Sequence, residues 1–381
     1  MHRLENLGDR LRGFARPWEV VTFIWVPALG VAYAFWYELR ARVALEDFGI
    51  FRTAALAVVH GHSPYVAPSA AALAQFDKFV YPPAAAILFA PFVALPPEAA
   101  RAVMFIAGLL AVLGALRLLG VGDWRCYSVA ILSAPAMNSL ALGALTSFLL
   151  LGAALAWRYR DVPPVAATAT AVTAILKLFL WPLGVWLLAT RRSRAAVTCV
   201  GVSVILLVGG WAIIGFAGLR QYPTLVHVLE RVEGPVSYSA IALFGLSGSA
   251  ATAVTIVVSL AAVAAIFLAA RGTDGDRRAF AVAVLASLVA TPLLWLHYLL
   301  LLFAPLAVYR PRLSALWFLP LLLWLTPATH SQGVTWRIAL ALAVLGVVAV
   351  GTTFGEGRLF RAFPLKPRAV RARARTSATM S

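Results

Sequence analysis

Carboxylates are scarce in this chain of 381 residues, with only 15 Asp and Glu in all, and most of them stand beside basic residues or near the termini. Those in segments read below as external are Glu38, Glu46, Asp47, Asp77, Glu230 and Glu233. A carboxylate can take the proton from a sugar hydroxyl as that oxygen attacks an anomeric carbon, and the role asks only that it stand beside the acceptor. Asp47 is singled out because it opens an apolar stretch, followed at once by Phe48, Gly49 and Ile50. Service as a helix N-cap is the other use of such an aspartate, and solvation in a loop is the ordinary fate of the rest.

Lys177 is the strongest anomaly. It interrupts the otherwise apolar stretch 162–190, in Leu176-Lys177-Leu178-Phe179-Leu180-Trp181-Pro182. An ionisable residue in such a place is costly and points to function. Lysine is a compact cation suited to phosphate or pyrophosphate, and the alternative is a lysine reaching out to lipid headgroups. His297 sits in Thr291-Pro292-Leu293-Leu294-Trp295-Leu296-His297-Tyr298. It can bind phosphate or a sugar hydroxyl and change charge near neutral pH, whereas Trp295 and Tyr298 equally suit an interfacial aromatic belt. Tyr81-Pro82-Pro83 and Gly61-His62-Ser63-Pro64-Tyr65 are turn signals able to shape a pocket. The chain has no P-loop, dinucleotide fingerprint, zinc motif or nucleophile elbow. A soluble nucleotide bound in the usual way is therefore not the expected donor, and no cofactor or metal is called for.

The elements that must hold these residues are transmembrane helices. Hydrophobic residues make up 62% of the chain and charged ones 12%, against about 45–50% and about 25% in soluble domains. The composition predicts an all-α, polytopic helix bundle in the plasma membrane. The net charge of +17 is gathered at the ends of apolar runs, which fits membrane topology and anionic lipid rather than nucleic acid. Cys126 and Cys199 lie inside apolar runs and read as packing residues.

Residues 1–17 read as a basic cytoplasmic N-terminus, 18–353 as the transmembrane domain and 354–381 as a basic cytoplasmic tail lying against headgroups. Between the ends are about eleven to thirteen apolar segments. Arginines at 191, 192 and 194, at 271, 277 and 278, and at 310 and 312 mark inside loops. That pattern places 217–240, His297 and 328–335 outside, with crossings at 195–216, 250–270 and 279–295. Placing 38–80 outside and Arg158 and Arg160 inside requires an odd number of crossings from the four candidates 81–96, 101–119, 126–138 and 142–157. One of these must be a half-span or re-entrant piece, and Pro82, Pro83 and Pro91 make 81–96 a suspect. The first external loop, 38–80, has the makings of an amphipathic helix lying in the interface.

The same residues carry a family resemblance. Asp47-Phe48-Gly49-Ile50-Phe51-Arg52, Gly61-His62-Ser63-Pro64-Tyr65 and Tyr81-Pro82-Pro83, with Pro91 and Leu95-Pro96 after them, resemble the start of glycosyltransferase family 87. The likeness continues through Gly143-Ala144-Leu145-Thr146, Leu176-Lys177-Leu178-Phe179 with Trp181-Pro182 and Arg191-Arg192, and Thr291-Pro292 to His297-Tyr298. It covers roughly residues 40–310 in order. Characterised members include actinobacterial α-mannosyltransferases that use polyprenyl-phosphate mannose. The resemblance implies a GT-C bundle with an extracytoplasmic site, a polyprenyl-phosphate sugar as donor and a lipid-linked or glycan acceptor. It implies Asp47 as general base, Lys177 and His297 at the donor phosphate or the acceptor, and Tyr81, Arg52 and Tyr298 in substrate binding. Ala144 stands where the family often has glutamine, and the proline after Lys177 comes later than in many members. The rival expectations are a lipid or glycolipid transporter or flippase, and a catalytically inactive partner in envelope polysaccharide assembly.

Overall fold

The computed structural model describes residues 17–40, 45–74 and 78–353. The basic segments at both ends, and Asp77, lie outside the described residues. All regular structure among the described residues is helical, as a hydrocarbon solvent demands of a backbone that must satisfy its own hydrogen bonds. Five helices are long and apolar enough to cross a bilayer: Pro17–Arg40, Pro97–Leu118, Ser193–Ile213, Gly248–Ala269 and Thr335–Thr353. At about 1.5 Å per residue they match a hydrocarbon layer of about 30 Å. The chain is an all-α, multi-pass membrane protein. The other apolar segments are shorter, namely Pro163–Leu176, Leu178–Ala189, Leu296–Tyr309 and Ala315–Leu325.

The four candidates between 81 and 157 resolve for local reasons. Pro97–Leu118 is a full-length helix, whereas 81–96 is only a short helix, Pro83–Leu88, and a 3-10 turn, Ala90–Ala94. Prolines at 82, 83 and 91 remove the donors a longer helix would need. The segment 126–138 divides at Ser133, whose hydroxyl accepts from Ala136 N at 3.3 Å and caps the next helix, Ala134–Leu142. That helix and Thr146–Arg158 are bent by 115° about Gly143, so the broken element lies there as well as at the suspected prolines. Gly143 has φ +61°, and Ala144 N closes the turn by donating to Ser139 O at 2.9 Å.

Polar side chains gather in two places, at either end of the helix Gly275–Ala290 and the segment that follows it. At one end, Asp276 at the start of helix Gly275–Ala290 accepts from Arg160 Nε at 2.7 Å, Arg192 Nη1 at 2.7 Å and Trp186 Nε1 at 3.2 Å. At the other end lie Asp47, Lys177 and His297. Through the middle runs a stretch in which every residue from Leu296 to Val308 is buried, packed against Ala134–Leu142, Thr146–Arg158 and Gly275–Ala290. Cys126 and Cys199 are free and buried.

A side chain at Gly143 would have to hold a left-handed conformation, costing about 1–2 kcal/mol, with its Cβ 2.7 Å from that of Phe48. Gly143→Val is therefore expected to lower the melting temperature of the solubilised protein by several degrees. A melting temperature equal to wild type would show that the bend does not need glycine.

Candidate active site

Asp47 is placed by the helix Glu46–Val59. Its apolar residues Phe48, Phe51, Ala54 and Ala55 fall on one buried face, the spacing expected of an amphipathic helix. Leu45, just before it, is left-handed at φ 54° and donates its N–H to Glu38 Oε2 at 3.4 Å. Asp47 therefore is not the cap. It occupies the first turn, where the positive end of the helix favours a carboxylate. The buried face is locked by rings: Phe51 stacks on Phe89 at 4.7 Å and 15°, and lies 4.7 Å from Tyr81. Tyr81 is fixed further by Tyr65, whose hydroxyl donates to Tyr81 O at 2.8 Å.

Lys177 ends the helix Pro163–Leu176 in an extended conformation, φ −144° and ψ 106°. A 3-10 turn, Leu178–Leu180, and Pro182 at the start of the next helix follow. The break turns the side chain into the protein, where only 4% of the residue is exposed. Its ammonium donates to the Tyr298 hydroxyl and lies 3.9 Å and 5.1 Å from the ring centres of Tyr298 and Tyr81. Phe179 stacks on Tyr298 at 4.8 Å. His297 and Tyr298 come from the start of the buried central stretch, after Thr291-Pro292 has ended helix Gly275–Ala290.

These side chains share one cavity of about 630 Å³. His297, 2% exposed, has Nε2 3.9 Å from Asp47 Oδ2, and neither of its ring nitrogens has a hydrogen-bond partner. Enclosure pushes the Asp47 carboxyl up to about 6; the Lys177 ammonium opposes that rise, and Glu46 adds to it. A single hydroxyl could fit against both, donating to Asp47 and accepting from His297. Five of the six expected site residues thus line one cavity: Asp47, Lys177, His297, Tyr81 and Tyr298.

Arg52 does not join them. It lies outside the cavity lining, and its guanidinium bonds the carbonyls of Phe92 at 3.5 Å and Leu95 at 3.4 Å, tying the first loop to the turn behind it. Its Nε and Nη2 thus face backbone carbonyls, and the geometry adds nothing to the expectation that it binds substrate. Of the remaining acids, Glu46, Glu230 and Glu233 line the cavity and Glu38 does not.

The segment 217–240, an external loop by the charge pattern, contains helix Tyr222–Glu233. Tyr222, Leu225, Val226 and Leu229 recur at helical spacing, a signal that was available. This helix forms one wall: the Tyr222 hydroxyl donates to Val80 O at 3.1 Å, and Glu233 is ion-paired with Lys78. Burial pushes the Glu230 carboxyl up, with His227 opposing. Thr329 and His330, from a distant loop, also line the cavity, and nothing local in the sequence marked them.

Residues 79–297, more than half of the chain, match glycosyltransferase family 87. The chain belongs to glycosyltransferase family 87. Tyr81, Lys177 and His297 lie within the matched residues, while Asp47, Arg52 and Tyr298 fall outside them and are placed by the fold. The chain is also similar to an alpha-(1->3)-arabinofuranosyltransferase of Mycolicibacterium smegmatis, with 29% identity over 161 residues. That similarity spans 37% of this chain and 37% of the relative. No solved structure matches the chain significantly.

The hydroxyl of Tyr298 is the hydrogen-bond partner of the Lys177 ammonium. Tyr298→Phe should therefore destabilise the protein by about 1–3 kcal/mol, the cost of a buried polar group left unpaired. Adding Lys177→Met should recover most of that loss, since both partners are then apolar. Thermal unfolding of the single and double variants checks this, and strictly additive losses would show that the two groups are not coupled.

Proposed function

We propose that this glycosyltransferase moves a sugar, mannose in the leading reading, from a polyprenyl phosphate to a glycan or lipid-linked acceptor. The reaction is placed at the extracytoplasmic face, with both termini cytoplasmic and their basic residues against anionic lipid. The observation that carries the reading is the arrangement of Asp47, His297 and Lys177 in one cavity, an enclosed base beside a buried cation.

The chemistry is a single displacement. The acceptor hydroxyl oxygen forms the bond to the anomeric carbon as its proton passes to the Asp47 carboxylate. The bond from that carbon to the phosphate oxygen breaks, and the phosphate leaves with the electron pair. Its charge is met by the Lys177 ammonium and the Tyr298 hydroxyl, groups already oriented in a water-poor setting where they act most strongly. Attack from the face opposite the phosphate inverts the anomeric configuration. His297, without a partner, accepts or donates a hydrogen bond at the incoming hydroxyl.

A second cavity supports a lipid donor. It holds about 750 Å³ and is walled by apolar residues of Pro97–Leu118, Thr146–Arg158 and Pro163–Leu176, among them Met104, Leu151 and Val172. It shares Leu176, the neighbour of Lys177, with the first cavity. An isoprenoid chain lying there would hold its phosphate at Lys177. Mannose follows from the family resemblance, and the name of the arabinofuranosyl relative makes a lipid-linked pentofuranose the second reading.

In membranes carrying the protein, transfer from radiolabelled polyprenyl-phosphate mannose is expected to fall about 10²–10⁴-fold in Asp47→Asn. Equal transfer by the variant would remove Asp47 from the reaction, and no transfer by either protein from any lipid-linked sugar would favour a transporter or inactive partner. Transfer only from a lipid-linked arabinofuranose would select the second donor.

The base works as a carboxylate, so kcat/KM should hold above the raised Asp47 value of about 6 and fall about tenfold per pH unit below it. A profile flat down to pH 4 would exclude Asp47 as the titrating base.

A further inference from the structure

An inverting displacement fixes where the acceptor must lie. Its oxygen enters from the side of the anomeric carbon opposite the departing phosphate, so the acceptor occupies the cavity wall away from Lys177. The segment Thr291–Tyr298 shows which wall that is. Tyr298 touches Lys177, His297 faces Asp47, and Trp295, two residues further back, meets His330 edge-on at 6.3 Å and 66°. Cation, base and aromatic wall therefore follow one another along a single strand of backbone. Trp295, Thr329 and His330 all line the cavity.

This wall is rigidly mounted and chemically unspent. Leu296 N donates to Thr329 O at 3.0 Å, and Asn138 Nδ2 donates to Thr329 Oγ1 at 3.2 Å. The buried Tyr238 hydroxyl donates to Ala328 O at 3.0 Å, and Ser331 N donates to Val236 O at 2.7 Å. The backbone on both sides of His330 is thereby pinned. Its side chain is not engaged in this way: Nδ1 is buried without a hydrogen-bond partner, as is Oδ1 of Asn138. Buried polar atoms are normally satisfied, and exceptions held by a stiff frame mark groups kept for something else. An indole face beside an imidazole and a threonine hydroxyl is the combination that binds a sugar ring. The ring's C–H face packs on the electron-rich indole, and its hydroxyls take the polar groups at the edge.

We propose that Trp295 and His330 form the acceptor subsite and that the acceptor presents a sugar ring there. The nucleophile is then a carbohydrate hydroxyl, rather than a protein side chain or a simple lipid alcohol. This inference rests on the transferase reading above and narrows its acceptor class. Thr329 positions His330 through its own bonds to Asn138 and Leu296.

The test uses the full-length protein in liposomes with polyprenyl-phosphate mannose as donor. Octyl mannoside, octyl glucoside and octyl arabinofuranoside serve as acceptors, with octanol as the sugar-free control. Wild type should transfer to at least one glycoside at ten times the octanol rate or more. Trp295→Ala and His330→Ala should each raise the acceptor KM at least tenfold. The donor KM should stay within twofold. Trp295→Phe keeps a ring face and should recover to within threefold of wild type. His330→Asn serves where His330→Ala lowers the melting temperature, because it keeps a polar group of similar reach.

An unchanged acceptor KM, a matching rise in donor KM, transfer to no glycoside, or octanol used as well as the best glycoside would each overturn the subsite. Failure of the underlying reading looks different. A wild type that releases mannose from the donor neither to an acceptor nor to water would overturn the donor chemistry itself.

Discussion

A lysine ammonium held inside the protein, with a tyrosine hydroxyl for its hydrogen bond and two aromatic rings beneath it, sets the terms for the rest of this structure. Taking an ammonium out of water costs several kcal/mol unless it is well paired, and phenol rings offset only part of that. The fold concentrates its means of holding Lys177 at one point. A helix stops one residue short of it, Phe179 braces Tyr298, and Tyr81 is fixed by the first loop. A cation so placed and so incompletely compensated is a standing preference for an anion at that spot. The carboxylate in the same cavity, 3.9 Å from His297, meets only part of that charge.

The helices divide by what surrounds them. Ser193–Ile213 and Gly248–Ala269 are long, regular and mostly lipid-facing, with 17% and 11% of their most apolar windows buried. The irregular backbone lies around the cavity: the break at Lys177, the bend at Gly143, the extended run from Thr291 to Trp295 and the 3-10 start of the central stretch. Within a bilayer, such backbone is tolerated only where protein or a cavity covers it. The site is therefore built where the helical rule is suspended.

This division also explains what could be read in one dimension. A charge inside an apolar run is an anomaly visible to any reader, so Lys177, His297 and the acids of the first loop were legible, as was the helical class. The capping alternative for Asp47 fell because Leu45 takes the turn that the sequence left open. Arg52 stands apart from the cavity because adjacency in a motif says nothing of direction. Five residues after Asp47 on a helix, its side chain leaves on a different face and finds backbone carbonyls. The amphipathic helix Tyr222–Glu233 had a readable period that its polar flanks concealed. Trp295 with His330, and Asn138 with Thr329, were beyond reach, because their meeting depends on segments up to 191 residues apart.

Asp276 shows what it means to mount such a site on a strut. The helix it begins, Gly275–Ala290, leads directly into the segment that bears His297 and Tyr298. Its 16 residues make a rod of about 24 Å. With one carboxylate gripped by two arginines and an indole at the far end, the rod cannot slide along its axis without breaking all three contacts. A slip of one turn would carry the histidine about 5.4 Å away from its aspartate. The clasp is thus a depth stop: it sets how far that wall reaches toward the cavity, from the opposite end of the helix.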